Sequence, residues 1–195
     1  VIATLLLAAS TAVSFASTPE KAALLVFGTQ GESARVTHVN RAGDFAAVMT
    51  SGGTLEGGAI TTPILVQHFS FGWQAITLIE DTCDVARVPV QVRAQLMQTY
   101  EALQPRQGAC PKIADHGSAQ DVAAVRALMV FPFVLSVSVV HDFAIGVWDD
   151  GESLFRKRNG AWTLIVNGED DMTANDLEKY GIPAADARAL LSGAQ

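Results

Sequence analysis

Histidines, cysteines, methionines and clustered acids are the side chains of this chain best equipped for chemistry, and their spacing decides which chemistry is open to them. His38, His68, His116 and His141 form no H-x-x-x-H pair, and none stands beside a cysteine, so zinc-type spacing is absent from the sequence. His38 and His68 are predicted on different strands of one sheet, where they can meet, and His141 directly precedes Asp142. These three are the candidate metal ligands, although histidines on strands are mostly structural or solvated. Met49, Met97, Met129 and Met172 are dispersed, with no Met-x-x-Met, so a soft copper(I) site is not read from spacing. Met97 and Met129 fall on apolar helical faces as core filling. The clusters Asp149-Asp150-Gly151-Glu152 and Glu169-Asp170-Asp171 lack the alternation of a calcium loop and fit turns and helix entries. Glu80-Asp81 follows a strand and marks a turn. No G-x-S-x-G, catalytic cysteine signature or P-loop is present. Gly52-Gly53-Thr54-Leu55-Glu56-Gly57-Gly58 has the look of a phosphate cradle, but it lacks the lysine and joins two strands instead of opening a helix. No catalytic residue, cofactor or metal is assigned. Gly52, Gly53, Glu56, Gly57 and Gly58 stay as a possible binding loop, because hairpin tips often carry function.

The elements that position these residues begin after Ala16. Val1 to Ala16 carry no charge, contain the apolar run Ile2 to Ala9, and end in Ser14-Phe15-Ala16, a small-x-small pattern of the kind a signal peptidase accepts. Ser10, Thr11 and Ser14 break the run well short of the roughly 20 apolar residues of a membrane helix. The expectation is a cleaved signal peptide over 1–16 and a protein placed in the periplasm or outside the cell. No membrane insertion is expected after cleavage. In that setting Cys83 and Cys110 are expected to form one structural disulfide. The net charge of -7 and pI near 4.9 oppose binding to phosphate backbones, so nucleic acid is not an expected partner.

The remaining chain repeats itself. Asp44-Phe45-Ala46 returns as Asp142-Phe143-Ala144. Trp73 precedes Glu80-Asp81 at the spacing with which Trp162 precedes Glu169-Asp170. Arg93-Ala94-Gln95-Leu96 has its counterpart in Arg188-Ala189-Leu190-Leu191, and Glu20-Lys21-Ala22-Ala23 in Asp121-Val122-Ala123-Ala124. Trp73 and Trp162 are expected as matching core anchors. The halves differ most between the repeated Asp and the repeated Trp, where the first has extra residues around Ser51 to Gly58.

Local signals give both halves the same order of elements. In the second, Ser118-x-x-Asp121 opens a helix with Val122, Val125, Leu128 and Met129 on one stripe. Strands are predicted over 133–140, 142–148, 153–158 and 161–166, with Asn159-Gly160 as a two-residue turn. Thr173 caps a short helix, and a terminal helix runs over 184–191. In the first, a helix near 19–26 leads to strands near 34–40, 44–50, 64–70 and 73–79. A longer helix then carries Val92, Leu96, Tyr100 and Leu103. The fold class is α+β: two tandem modules, each a four-stranded antiparallel β-meander flanked by helices, over 17–104 and 118–195 with a linker over 105–117. The helices are expected to cover one face of each meander and leave the other wet or packed on the partner module.

Val139-Val140-His141-Asp142-Phe143-Ala144-Ile145-Gly146-Val147-Trp148, Leu154 to Trp162 and Gly181-Ile182-Pro183-Ala184 carry a resemblance. The stretch from Asp121 to Leu191 resembles the C-terminal region of small bacterial secreted proteins, some of them labelled copper uptake system-associated. That resemblance implies a periplasmic metal-handling accessory role and assigns no ligands. The residues themselves point to an exported binding or accessory protein with a protein or small-molecule partner and no catalytic centre. The alternatives are copper handling and a small-ligand enzyme with a pocket between sheet and helices.

Overall fold

The computed structural model describes residues 15–27, 34–52, 54–55, 58–59, 62–100, 110, 114–129, 131, 133–148, 150–168 and 171–194. Helix α1 (Pro19–Leu25) is capped by the Thr18 hydroxyl, which accepts from the Lys21 amide, and Pro19 suits the first turn, where its missing N–H has no helical partner. Strands β1 (Arg35–Ala42) and β2 (Phe45–Ser51) follow, then a small hairpin of β3 (Thr54–Leu55) and β4 (Gly58–Ala59). Strands β5 (Ile64–Phe69) and β6 (Gly72–Leu78) and helix α2 (Val90–Leu96) complete the first half. The second half runs α3 (Ala119–Arg126), β7 (Val134–Val140), β8 (Phe143–Trp148), β9 (Gly151–Arg158), β10 (Ala161–Gly168), α4 (Ala174–Lys179) and α5 (Ala184–Ala194). Two antiparallel sheets result, ordered β1-β2-β5-β6 and β7-β8-β9-β10. The protein is α+β and consists of two tandem modules of one design. No helix among the described residues is long and apolar enough to cross a membrane.

The duplication holds at the level of single backbone pairs. Val36↔Thr50, His38↔Met49 and Ala42↔Phe45 in β1/β2 become Val134↔Trp148, Ser136↔Val147 and Val140↔Phe143 in β7/β8. The bulge falls at the same place, between Val36 and His38 and between Val134 and Ser136. His68↔Trp73 becomes Lys157↔Trp162, and the second bulge also falls at the same place, with Ile76 of β6 unpaired between Ala75 and Thr77 and Ile165 of β10 unpaired between Leu164 and Val166. The amide of His68 donates to the Asp44 carbonyl at 2.7 Å, and that of Lys157 to the Asp142 carbonyl at 2.8 Å. The repeated Asp-Phe-Ala is therefore a turn and strand entry that hands its carbonyl to the third strand. The extra residues of the first half lie between the second and third strands of its sheet and include β3 and β4.

Each sheet is covered on both faces, which corrects the expectation of one covered face. Along β2, Ala46 and Val48 pack under α1 with Ala22, Ala23, Val66 and Ala75. Phe45 and Ala47, on the alternate face, pack with Leu65, Ile76, Val85, Val88 and Leu96 of α2. In the second module Ala144 and Phe155 lie beneath α3, while Phe143, Ile145 and Leu154 meet Leu177 of α4 and Ala187 and Leu190 of α5. The central strands are apolar on both faces because each is sandwiched between helical layers. Two helix expectations are also corrected. Helix α2 ends at Leu96, so Tyr100 reaches the core from beyond it, donating its hydroxyl to the Ala47 carbonyl at 3.1 Å. Leu128 lies past the end of α3 and is 38% exposed, whereas Met129 is buried.

The modules meet where β6 lies beside β7, and the contact is polar at its centre. Arg126, at the end of α3, is fully buried. It donates to both Asp115 carboxylate oxygens at 3.2 and 2.7 Å, to Gln74 Oε1 of β6 at 3.0 Å, and to the carbonyls of Val134 and Leu135 at 2.9 and 3.3 Å. The β7 bulge lets two successive carbonyls serve this one side chain. Arg87 also donates to the Leu135 carbonyl and lies 3.8 Å from Asp115. Burial, with the neighbouring Arg126 charge, lowers Arg87 to about 10. Phe69 places its ring 4.7 Å from the Arg126 guanidinium, and Phe133, just before β7, packs into the core of the first module.

Candidate functional site

The two modules share a backbone and differ at its margins, so those margins are where one copy carries something the other lacks. The β9–β10 hairpin turns through Asn159 and Gly160 with φ of 53° and 79°, the left-handed pair favoured in a two-residue turn. At the matching places the β5–β6 hairpin has Ser70 and Phe71, flanked by Phe69 and by Gly72 at φ 128°. Phe69 and Phe71 stack with centroids 5.2 Å apart, and Phe15 closes on Phe71 at 3.8 Å. His68 and Trp73 add a tilted pair at 5.1 Å. Phe15, Phe69, Phe71 and Trp73 are all half-buried, so this tip of the first module presents an aromatic cluster to its surroundings.

The outer edge of β6 runs beside this cluster and holds an added strand residue. Ala16 donates to the Trp73 carbonyl at 3.1 Å and accepts from the Trp73 amide at 2.9 Å, an isolated antiparallel bridge. In the second module the residue before the helix goes elsewhere. His116 pairs in parallel with β7, its amide donating to Val137 and its carbonyl accepting from Val139, both at 2.8 Å. The last strand of the second sheet, β10, has no such added residue among the described residues.

The two indoles do share surroundings. Trp162 is buried, donates its Nε1 to Asp121 of α3 at 2.9 Å, and has the Lys157 ammonium 5.6 Å from its ring. Lys157 pairs with the same Asp121 oxygen at 2.6 Å. The hydrogen bonds from Lys157 and Trp162 hold the Asp121 carboxyl below its ordinary value. Around Trp73 the acid is Glu20 of α1, paired at 2.7 Å with Arg41, whose guanidinium lies 6.0 Å from the ring. The acid that opens each repeated helix thus anchors a cation over each repeated tryptophan. Trp162 is the deeper anchor; Trp73 is half-exposed because it also borders the β6 edge.

The remaining sequence-derived residues are placed as follows. Cys83 and Cys110 form the expected disulfide, with Cα atoms 5.1 Å apart, which fits an oxidising compartment. His38 and His68 lie in one sheet but do not meet. His38 contacts the Asn40 carbonyl oxygen of its side chain at 3.1 Å and Tyr100, while His68 faces Trp73. His141 occupies a positive-φ turn position and pairs with Asp186 at 3.2 Å. No three His, Cys, Asp or Glu side chains converge as a metal site among the described residues. Asp81 and Asp84 accept backbone amides in the turn after β6, as Glu80-Asp81 implied. Of the possible binding loop, Gly53, Glu56 and Gly57 lie outside the described residues. Gly52 follows β2 and Gly58 opens β4. A groove of about 470 Å³ between β10 and α4 is lined by Val166, Gly168, Asp171, Met172, Asp176, Lys179 and Tyr180. Two of its charges are engaged within α4: Asp176 closes the capping box with Thr173 and pairs with Lys179 at 2.8 Å.

Sequence reasoning passed over Phe69 and Phe71 and assigned Phe15 and Ala16 to a leader. The signal available was the departure of Phe69-Ser70-Phe71 from its repeat partner Arg158-Asn159-Gly160. Compared with protein-family models, curated proteins and solved structures, the chain matches none.

Proposed function

We propose that this is an exported, non-catalytic binding or accessory protein, acting in the periplasm or outside the cell through the aromatic tip of its first module. The observation that carries the reading is the replacement of a plain turn, Arg158-Asn159-Gly160, by Phe69-Ser70-Phe71 on an otherwise identical ladder. Half-exposed aromatic rings are costly to leave in water, and they are the side chains that anchor protein interfaces. The buried Arg126 joint supports the reading by fixing the second module as a brace behind the tip. The disulfide supports export, and a leader over 1–16 belongs to the same proposal.

The test is capture from a periplasmic extract with the native protein and with Phe71→Ser, followed by titration of the captured partner in purified form. The expected result is saturable binding by the native protein that Phe71→Ser weakens. Equal binding by both proteins, or turnover of a substrate by the pure native protein, overturns the reading. A copper titration saturating at one tight equivalent supports the metal-handling alternative instead.

A further inference from the structure

The bridge between Ala16 and Trp73 marks a built slot. In an antiparallel strand the N–H and C=O of one residue point to the same side, and those of Trp73 point away from β5, to Ala16. Gly72 has no side chain at the point of closest approach, where a Cβ would lie 2.8 Å from the Ala16 carbonyl oxygen. Ala16 is 5% exposed, so the slot accepts a small side chain there, while the preceding Phe15 ring rests on Phe71. Backbone pairing, a bare glycine and an aromatic shelf together define what the edge takes: an extended segment with an aromatic residue followed by a small one.

Those two residues are also the last two of the segment read as a leader. We infer that the β6 edge at Trp73 is a peptide-capture slot, filled by Phe15-Ala16 in the uncut chain and emptied when the chain is cut before Ser17. In the mature protein it takes the extended aromatic–small segment of a partner polypeptide. The cut is a hydrolysis: the Ala16–Ser17 C–N bond breaks, the water hydroxyl goes to the Ala16 carbonyl carbon and its proton to the Ser17 nitrogen, with a signal peptidase as catalyst. Helix α1 keeps its start, because Thr18 and Pro19 lie after the cut. The inference rests on the exported accessory reading and names the surface and partner chemistry of that site.

The experiment uses the full chain, expressed for export, with the mature protein purified from the periplasm and its N-terminus read from the intact mass. The expected mass begins at Ser17. Titration with the synthetic peptide Val-Ser-Phe-Ala-Ser, followed by tryptophan fluorescence, then saturates at one site. Phe71→Ser weakens that binding by about three- to tenfold, the share of one aromatic contact. Gly72→Val abolishes it, and because a Cβ at that φ also strains the backbone, Phe71→Ser is the variant that decides. A mature protein that retains Phe15, or one that begins at Ser17 and ignores the peptide, overturns the inference and leaves the export reading standing. A chain that stays uncut in the cytoplasm overturns both.

Discussion

Replacing Arg126 by leucine removes the central polar tie between the modules. The guanidinium is fully buried and makes five hydrogen bonds, two of them to Asp115 and the others to Gln74, Val134 and Leu135. Without it Asp115 keeps the Val137 amide at 2.9 Å and Arg87 at 3.8 Å, so it is not wholly orphaned. Gln74 Oε1 and the Val134 carbonyl lose this donor in a buried place. Breaking a buried ion pair from one side costs about 3–5 kcal/mol. Leucine recovers part of that by apolar contact with Phe69, so about 3 kcal/mol is the expected net loss, a large share of a domain's stability. Urea unfolding followed by far-UV circular dichroism and by tryptophan fluorescence reads it. Trp73 reports the first module; Trp148 and Trp162 report the second. Because Gln74 and Phe69 belong to the first module and Arg126 to the second, the variant is also expected to unfold in two steps where the native protein unfolds in one. A loss below about 1 kcal/mol, within the range of a surface pair, together with a single unchanged transition, refutes the assignment of the joint to Arg126.

Reduction of Cys83–Cys110, or the double change to serine, frees a loop with a sequence separation of 27 and is expected to cost about 3.5 kcal/mol in urea unfolding. No change in the midpoint would count against a structural role for the bridge. At Gly146 an added Cβ lies 2.3 Å from the Met129 sulfur, so Gly146→Val is expected to destabilise by about 1–3 kcal/mol, and adding Met129→Ala to recover part of it. Additive losses in the double variant would show that the clash lies elsewhere. Burial raises the Glu152 carboxyl, the Met172 amide at 2.7 Å opposes this, and Asp171 adds to it. A raised acid contributes stability that is complete below its ordinary value of 4.5 and is lost as pH rises through the folded value. Glu152→Gln is therefore expected to melt higher than the native protein at pH 7, with the gap closing below about pH 4. A gap that widens in acid would mean the sign is wrong.

The order of elements was legible because local chemistry writes it directly. Asn159-Gly160 sets a turn, Thr173 and Ser118 open helices, and β-branched runs such as Val137-Ser138-Val139-Val140 form strands. The two-faced burial was missed, although Phe45-Ala46-Ala47-Val48, apolar at every position, carried the mark of a strand covered on both sides. Arg126 was invisible for a different reason. A basic residue in the last turn of a helix ordinarily faces water and the helix dipole, and only the approach of β6 and the bulged β7 buries it. Of the candidate site, Trp73 was found through the repeat. Phe15 and Ala16 have the composition of a leader's end, and no local pattern announces that they also fit the edge of a strand more than fifty positions away.

Identical ladders with unlike margins separate what the fold requires from what it merely permits. Register, both bulges, the Asp carbonyl handed to the third strand and the acid–cation–indole cluster occur twice, so any one of them is explained by the demands of folding the module. The aromatic hairpin, Gly72 at φ 128° and the residue bridged to β6 occur once. The second module folds with a plain Asn159-Gly160 turn in the same position, so folding does not require Phe71 or the bare edge of Gly72. A feature that exposes aromatic surface and is unnecessary for the ladder beneath it is explained by what it holds, and here Phe71 and the bare edge at Gly72 hold Phe15 and Ala16.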